Sequence, residues 1–126
     1  MFRRFIDWIQ RTVLRQRLTL KVDTDSEVAL GKTSFIRIEA VNNNTVPELA
    51  YLFCQVIYPW TGRDEAQENV NLFNDDIAVG RRFGPHKGSA CIVVSHTWLK
   101  KGQCFVDVEL SDDLGDDQVR IPVMVR

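Results

Sequence analysis

The chain has 126 residues, of which 44% are hydrophobic and 26% charged, and a formal net charge of −1. That length suits one domain, and the composition is apolar enough to bury a core, which excludes a disordered chain. The near-neutral balance gives no reason to expect a nucleic-acid partner.

The first 21 residues carry Arg3, Arg4, Arg11, Arg15, Arg17 and Lys21 against Asp7 alone, a net +5, and leave −6 for the remainder. A basic leader therefore precedes an acidic body. The start MFRRFIDWIQR has no uninterrupted apolar core and no small-residue cleavage site, so it does not read as a signal peptide. No run approaches the roughly 20 apolar residues of a membrane-spanning helix. A reduced, cytoplasmic protein is the expectation.

Residues 2–17 have helical periodicity. At about 100° per residue, Phe2, Phe5, Ile6, Ile9 and Val13 share one arc, Trp8 and Leu14 flank it, and Arg4, Asp7, Arg11 and Arg15 lie opposite. Such a stripe needs a greasy partner, which is the domain itself, another protein or copy, or a membrane surface. Residues 1–17 are thus read as a basic amphipathic helix and residues 18–126 as the globular domain.

From Leu18 the period becomes two. Leu18, Leu20 and Val22 alternate with polar residues, and a second strand over Ser34–Val41 turns Ile36, Ile38 and Ala40 to one side. Asn42, Asn43 and Asn44 end it, because short amides bond to nearby backbone. The run from Leu49 to Tyr58 is apolar on both faces and reads as a central strand covered on both sides. Residues 61–69 are a charged loop, and Val70–Val79 predicts two short strands or a strand and a bend. A glycine-rich basic loop, GRRFGPHKG, precedes a strand over Ser89–Ser95. Two alternating runs, Cys104–Leu110 and Val119–Val125, then flank the tip SDDLGDD as the clearest hairpin. Pro122 cannot donate to a ladder, so it belongs at an edge or beside a gap in the hydrogen bonding.

About seven short strands with regular turns imply an antiparallel β-sandwich or barrel. The stretch GKTSFIRIEAVNNN resembles the second strand of immunoglobulin-like modules, and LKKGQCFVDVELSDDLGDDQVRIPVMV resembles their final hairpin. Together they cover about a third of the chain. The tryptophan usual in the third strand of that family is missing, since Trp60 follows the strand. The resemblance implies an immunoglobulin-like β-sandwich and no particular activity. It also makes a disulfide between Cys54 and Cys104 conceivable, leaving Cys91 over, although three buried-type cysteines in a reduced chain are the simpler reading.

No catalytic or cofactor motif emerges. His86, Cys91, His96 and Cys104 have a spacing unlike the usual zinc patterns, so no metal is expected. A thiol- or metal-dependent enzyme using Cys91, His96 and Cys104 remains a third reading. Asp112, Asp113, Asp116 and Asp117 lack the spacing and bidentate glutamate of a calcium loop and read as a solvated turn. Arg81, Arg82, Phe83, His86 and Lys87 combine cations, an aromatic and glycines, a mixture able to hold a phosphate or stack a base. With Trp60 and Trp98 as neighbours, they form the candidate loop-recognition set. The expected function is a non-catalytic protein-interaction module that contacts a partner or a second copy through the N-terminal helix and the end loops. The alternative is a peripheral membrane protein anchored by that helix.

Overall fold

The computed structural model describes residues 16–59 and 68–126. Eight strands follow in chain order: β1 (Thr19–Asp23), β2 (Glu27–Val28), β3 (Thr33–Asn42), β4 (Glu48–Ile57), β5 (Asn69–Val79), β6 (Gly88–Thr97), β7 (Gly102–Asp112) and β8 (Gly115–Val125). A three-stranded sheet, β1-β3-β6, faces a five-stranded sheet, β2-β8-β7-β4-β5. The chain is therefore a two-sheet β-sandwich. The helix over residues 2–17, with Phe2, Phe5, Ile6, Trp8, Ile9 and Val13, lies almost wholly outside the described residues. Its last positions, Gln16 and Arg17, are not helical.

Alternation drives the architecture. A strand turns successive side chains to opposite faces, so Ile36, Ile38 and Ala40 of β3 meet Leu52, Cys54 and Val56 of β4 and Val106 and Val108 of β7 in a shared interior. Val123 and Val125 of β8 complete it. The β7–β8 hairpin pairs in unbroken register from Gly102↔Val125 to Asp112↔Gly115. Pro122 sits in β8 beyond the reach of β2, whose pairing covers only Met124 and Val125. The amides of Met124 and Arg126 donate toward the β2 side, to Ser26 and Val28. By the same alternation, the proline nitrogen points to the open edge, where no donor is needed.

Two features differ from the sequence reading. Residues 69–79 are one continuous strand, neither two strands nor a strand and a bend at residues 74–76, and the register against β4 slips between Cys54 and Gln55: Cys54 faces Phe73 while Gln55 faces Asn71. Leu72 is the extra residue of a β-bulge. The bulge reverses the phase of the alternation, so Val70, Leu72 and Phe73 all pack against the core. Second, β4 is not covered on both sides. Leu49 is 70% and Tyr51 39% exposed on its outer face, over which no described segment lies.

A disulfide between Cys54 and Cys104 does not fit. Both thiols are free and both strands belong to one sheet, where Cys54 is paired with Val108. Cys104 is four positions further along, about 13 Å away, well beyond the Cα separation that a disulfide bridges.

Candidate interaction surface

The strand directions gather three connections at one end of the sandwich: residues 43–47 between β3 and β4, residues 80–87 between β5 and β6, and the β7–β8 tip at Asp113 and Leu114. The chain from the N-terminal segment arrives at this same end. Asn44 is the junction. Its side-chain carbonyl accepts the Gln16 amide at 2.8 Å and its side-chain amide donates to the Gln16 carbonyl at 2.7 Å. Its backbone carbonyl accepts the Arg82 amide at 2.7 Å. Asn44 is held in turn by Asn42, whose Oδ1 accepts the Asn44 amide at 2.8 Å, the local amide turn expected of these residues. Arg17 donates to the Asp116 carbonyl, and the Leu18 amide donates to Asp112 at 3.4 Å. The first described residues are thus tied to both the basic loop and the acidic tip.

The basic loop is a tight structure. Phe83 and His86 exchange backbone hydrogen bonds at 2.8 and 3.0 Å around Gly84 and Pro85. Gly84 has φ +58°, a left-handed conformation that a residue without Cβ adopts freely. The turn presents Phe83, 72% exposed, with the Arg81 guanidinium 5.8 Å from its ring centroid. Arg81, Arg82, His86 and Lys87 are all exposed. Around the same end, Leu114 at the hairpin tip and Leu49 and Tyr51 at the start of β4 add apolar surface. Leu49, Tyr51, Asp76, Ser111, Asp112 and Asp113 line a shallow depression there.

Trp98 does not belong to this set. It follows β6 at the opposite end of the sandwich and is 0% exposed. Its indole N–H donates to Ser34 at 2.7 Å, and its ring meets His96 edge-on at 4.8 Å. A polar handle satisfied inside the core is the ordinary way to bury a tryptophan. In the sequence it was grouped with the basic loop as an aromatic neighbour, and it is instead part of the core shared by the two sheets. Trp60 lies outside the described residues.

The buried end carries a polar cluster that periodicity did not reveal. The Tyr58 hydroxyl lies 2.6 Å from His96 Nε2 and accepts the Leu99 amide at 3.2 Å. Burial lowers the His96 pKa and raises that of Tyr58. Cys91, on the outer face of β6, is exposed and points away from this cluster. It is five positions from His96, about 16 Å along the strand, so Cys91, His96 and Cys104 do not share a site. Burial pushes the Cys54 thiol up to about 12, helped by the nearby Asp107 charge, and raises Cys104 too. Both behave as apolar core residues. Among the described residues, no three His, Cys, Asp or Glu side chains converge as a metal site.

A second polar cluster sits on the outer face of the larger sheet. Asp107 is 6% exposed and receives Gln118 Nε2 at 2.8 Å, Gln55 Nε2 at 3.2 Å and the Arg120 guanidinium at 3.5 Å. Burial pushes its pKa up, but these hydrogen bonds and the Arg120 charge outweigh it and hold the carboxyl below its usual range. With its acceptor sites occupied and its neighbours fixed, it serves as a clamp across β4, β7 and β8.

No protein-family model matches the chain, and no curated protein sequence is significantly similar to it. Solved structures are similar in fold. The CARDB domain of a Pyrococcus furiosus protein, in complex with di-metal ions, superposes with a TM-score of 0.66 at 11% identity, covering 89% of this chain and 90% of that one. The Pseudomonas fluorescens alkylpurine DNA glycosylase AlkC, bound to DNA with an abasic-site analogue, gives 0.59 at 12% identity, covering 88% of this chain and 31% of the glycosylase. A superoxide reductase (neelaredoxin) from Ignicoccus hospitalis gives 0.52 at 16% identity, covering 95% and 91%. At these identities the likeness is one of architecture: an immunoglobulin-like β-sandwich that occurs in proteins of unrelated activity.

Proposed function

We propose that the domain is a non-catalytic protein-interaction module that engages its partner at the end of the sandwich where the N-terminal segment arrives. The observation that supports this reading is the junction at Asn44, which joins Gln16, at the end of the leader, to Arg82 of the basic loop. Loops on a rigid sandwich are where such folds carry recognition. The end combines exposed Phe83, Leu114 and Leu49 with cations at Arg81, Arg82 and Lys87 and carboxylates at Asp112, Asp113 and Asp116. An apolar centre with a mixed-charge rim is the usual make-up of a protein-binding patch. In this reading Phe2, Phe5, Ile6, Trp8, Ile9 and Val13 contact the same partner.

A photo-crosslinking amino acid placed at position 83 in the source cells tests the proposal, with position 21, on the outer face of β1, as the control. A discrete crosslinked protein from position 83 alone is the expected result, weakened by removing residues 1–15. Equal or absent crosslinking at both positions refutes it. The membrane alternative rests on the +5 leader. It requires binding to anionic vesicles at low salt that is lost at high salt, and the carboxylates of the hairpin tip beside the junction oppose it.

A further inference from the structure

A β-sandwich leaves four strand edges, and an unpaired edge is a row of hydrogen-bonding groups that accepts another strand unless something blocks it. Three edges here are blocked. The short β1 carries Lys21 and Asp23. The larger sheet is closed on one side by β2 and, beyond it, by Pro122 of β8. On its other side β5 is interrupted by the bulge at Leu72 and carries Asp75 and Asp76.

The fourth edge, β6, has none of these defences. Its ten residues, GSACIVVSHT, contain no Asp, Glu, Lys, Arg or Pro, and its one titratable imidazole, His96, is turned inward and buried. Among the described residues it pairs only with β3. The loop backbone closes over its first residue: a Cβ on Gly88 would lie 1.7 Å from the Gly80 carbonyl oxygen. The open stretch therefore runs from Ala90 to Thr97, about 26 Å, longer than a typical strand. Beside it, Val93 is 57% and Phe35 67% exposed on the outer face of the same sheet.

We propose that two copies of this chain pair antiparallel through β6, joining their three-stranded sheets into one continuous sheet about a two-fold axis. The occupant is a second copy because an uncharged edge gives a charged foreign strand nothing to recognise, whereas identical antiparallel strands are self-complementary and meet here without like-charge repulsion. The register follows from the faces. Residues directly opposite one another must point to the same side of the sheet, so the axis passes through a residue and not between two. The midpoint of the open stretch falls between Val93 and Val94, and of the two Val93 is the exposed one on the outer face. With the axis there, Val93 packs against its own counterpart while Cys91 lies opposite Ser95. This surface is separate from the loop end of the module.

Sedimentation velocity on the full chain, across micromolar to sub-millimolar concentrations, tests the pairing. The wild-type protein is expected to dimerise. Val93→Lys with Ser95→Lys, both at exposed positions that leave the core intact, is expected to weaken the dimer at least tenfold while circular dichroism stays unchanged. A second variant, Val93→Cys in a Cys91→Ser background, places two thiols across the axis and is expected to oxidise to a disulfide-linked dimer, whereas Thr97→Cys in the same background does not. A wild-type monomer at about 0.5 mM overturns the proposal. So does a dimer that survives both lysines and yields no Val93→Cys disulfide.

Discussion

Replacing Tyr58 by phenylalanine isolates the buried polar cluster at the end of the sandwich opposite the junction. The tyrosine is 2% exposed, and the substitution keeps the ring while removing the hydroxyl that faces His96 Nε2 at 2.6 Å and accepts the Leu99 amide at 3.2 Å. Only one oxygen is lost, so the cavity contribution is small and the effect is that of partners left without a mate. Each such group costs about 1–1.5 kcal/mol, which gives a destabilisation of about 2–3 kcal/mol. For a domain of this size about 4 °C accompanies each kcal/mol, so Tm falls by about 10 °C. Urea titration followed by circular dichroism measures the free energy, and an unchanged slope shows that the unfolded state is unaffected. A loss below about 0.5 kcal/mol would refute the assignment, because the hydroxyl would then hold nothing that water does not replace.

The pH dependence has two limbs with opposite signs. Burial lowers the His96 pKa from its usual 6.5, so the unfolded chain takes up that proton first. Stability is full above about pH 6.5 and falls below it, by up to about 1.4 kcal/mol per pH unit, and His96→Gln flattens this limb in urea midpoints taken between pH 7.5 and 5.5. Cys54, raised from 9.0 to about 12, acts on the alkaline side: the unfolded thiol ionises first, and stability declines as pH rises above about 9, a limb to which Cys104 and Tyr58 also contribute and which Cys54→Ala makes shallower. Asp107→Ala strips Gln55, Gln118 and Arg120 of their shared acceptor and is expected to destabilise the domain by about 1–3 kcal/mol, read by thermal unfolding at pH 7. The same variant also removes the part of the acid-induced loss, as pH falls through the lowered Asp107 value, that belongs to this carboxylate.

The strands were legible because alternation is local. Ile36-Arg37-Ile38-Glu39 and Cys104 to Leu110 announce which side faces the core before any partner strand is known, and the Asp-Gly tip announces the hairpin. Residues 69–79 were misread for the same reason. A bulge shifts the phase by one residue, and whether a phase break ends a strand or bends it depends on whether the neighbour, here β4 at Cys54 and Gln55, continues past it. The apolar outer side of β4 was taken as a sign of cover that no described segment supplies.

The candidate surface divides along the same line. Arg81, Arg82, Phe83, His86 and Lys87 stood out by composition, and they are exposed together on one turn. Trp98 stood out by the same criterion and is core, since a tryptophan at a strand end is inside or outside according to what packs over it. Asn44 was read as the end of a strand, and its ties to Gln16 and Arg82 span separations that no local pattern encodes. The undefended edge of β6 was equally hidden. Its uncharged composition is plain in the sequence, but a strand is an edge only once the sheet order is known. Side-chain alternation and turn chemistry act between near neighbours, so the sequence by itself determined most of the strands, most of their inward faces and the final hairpin. Sheet order, burial and the meeting of distant loops arise from long-range pairing, and these the tertiary structure alone decided.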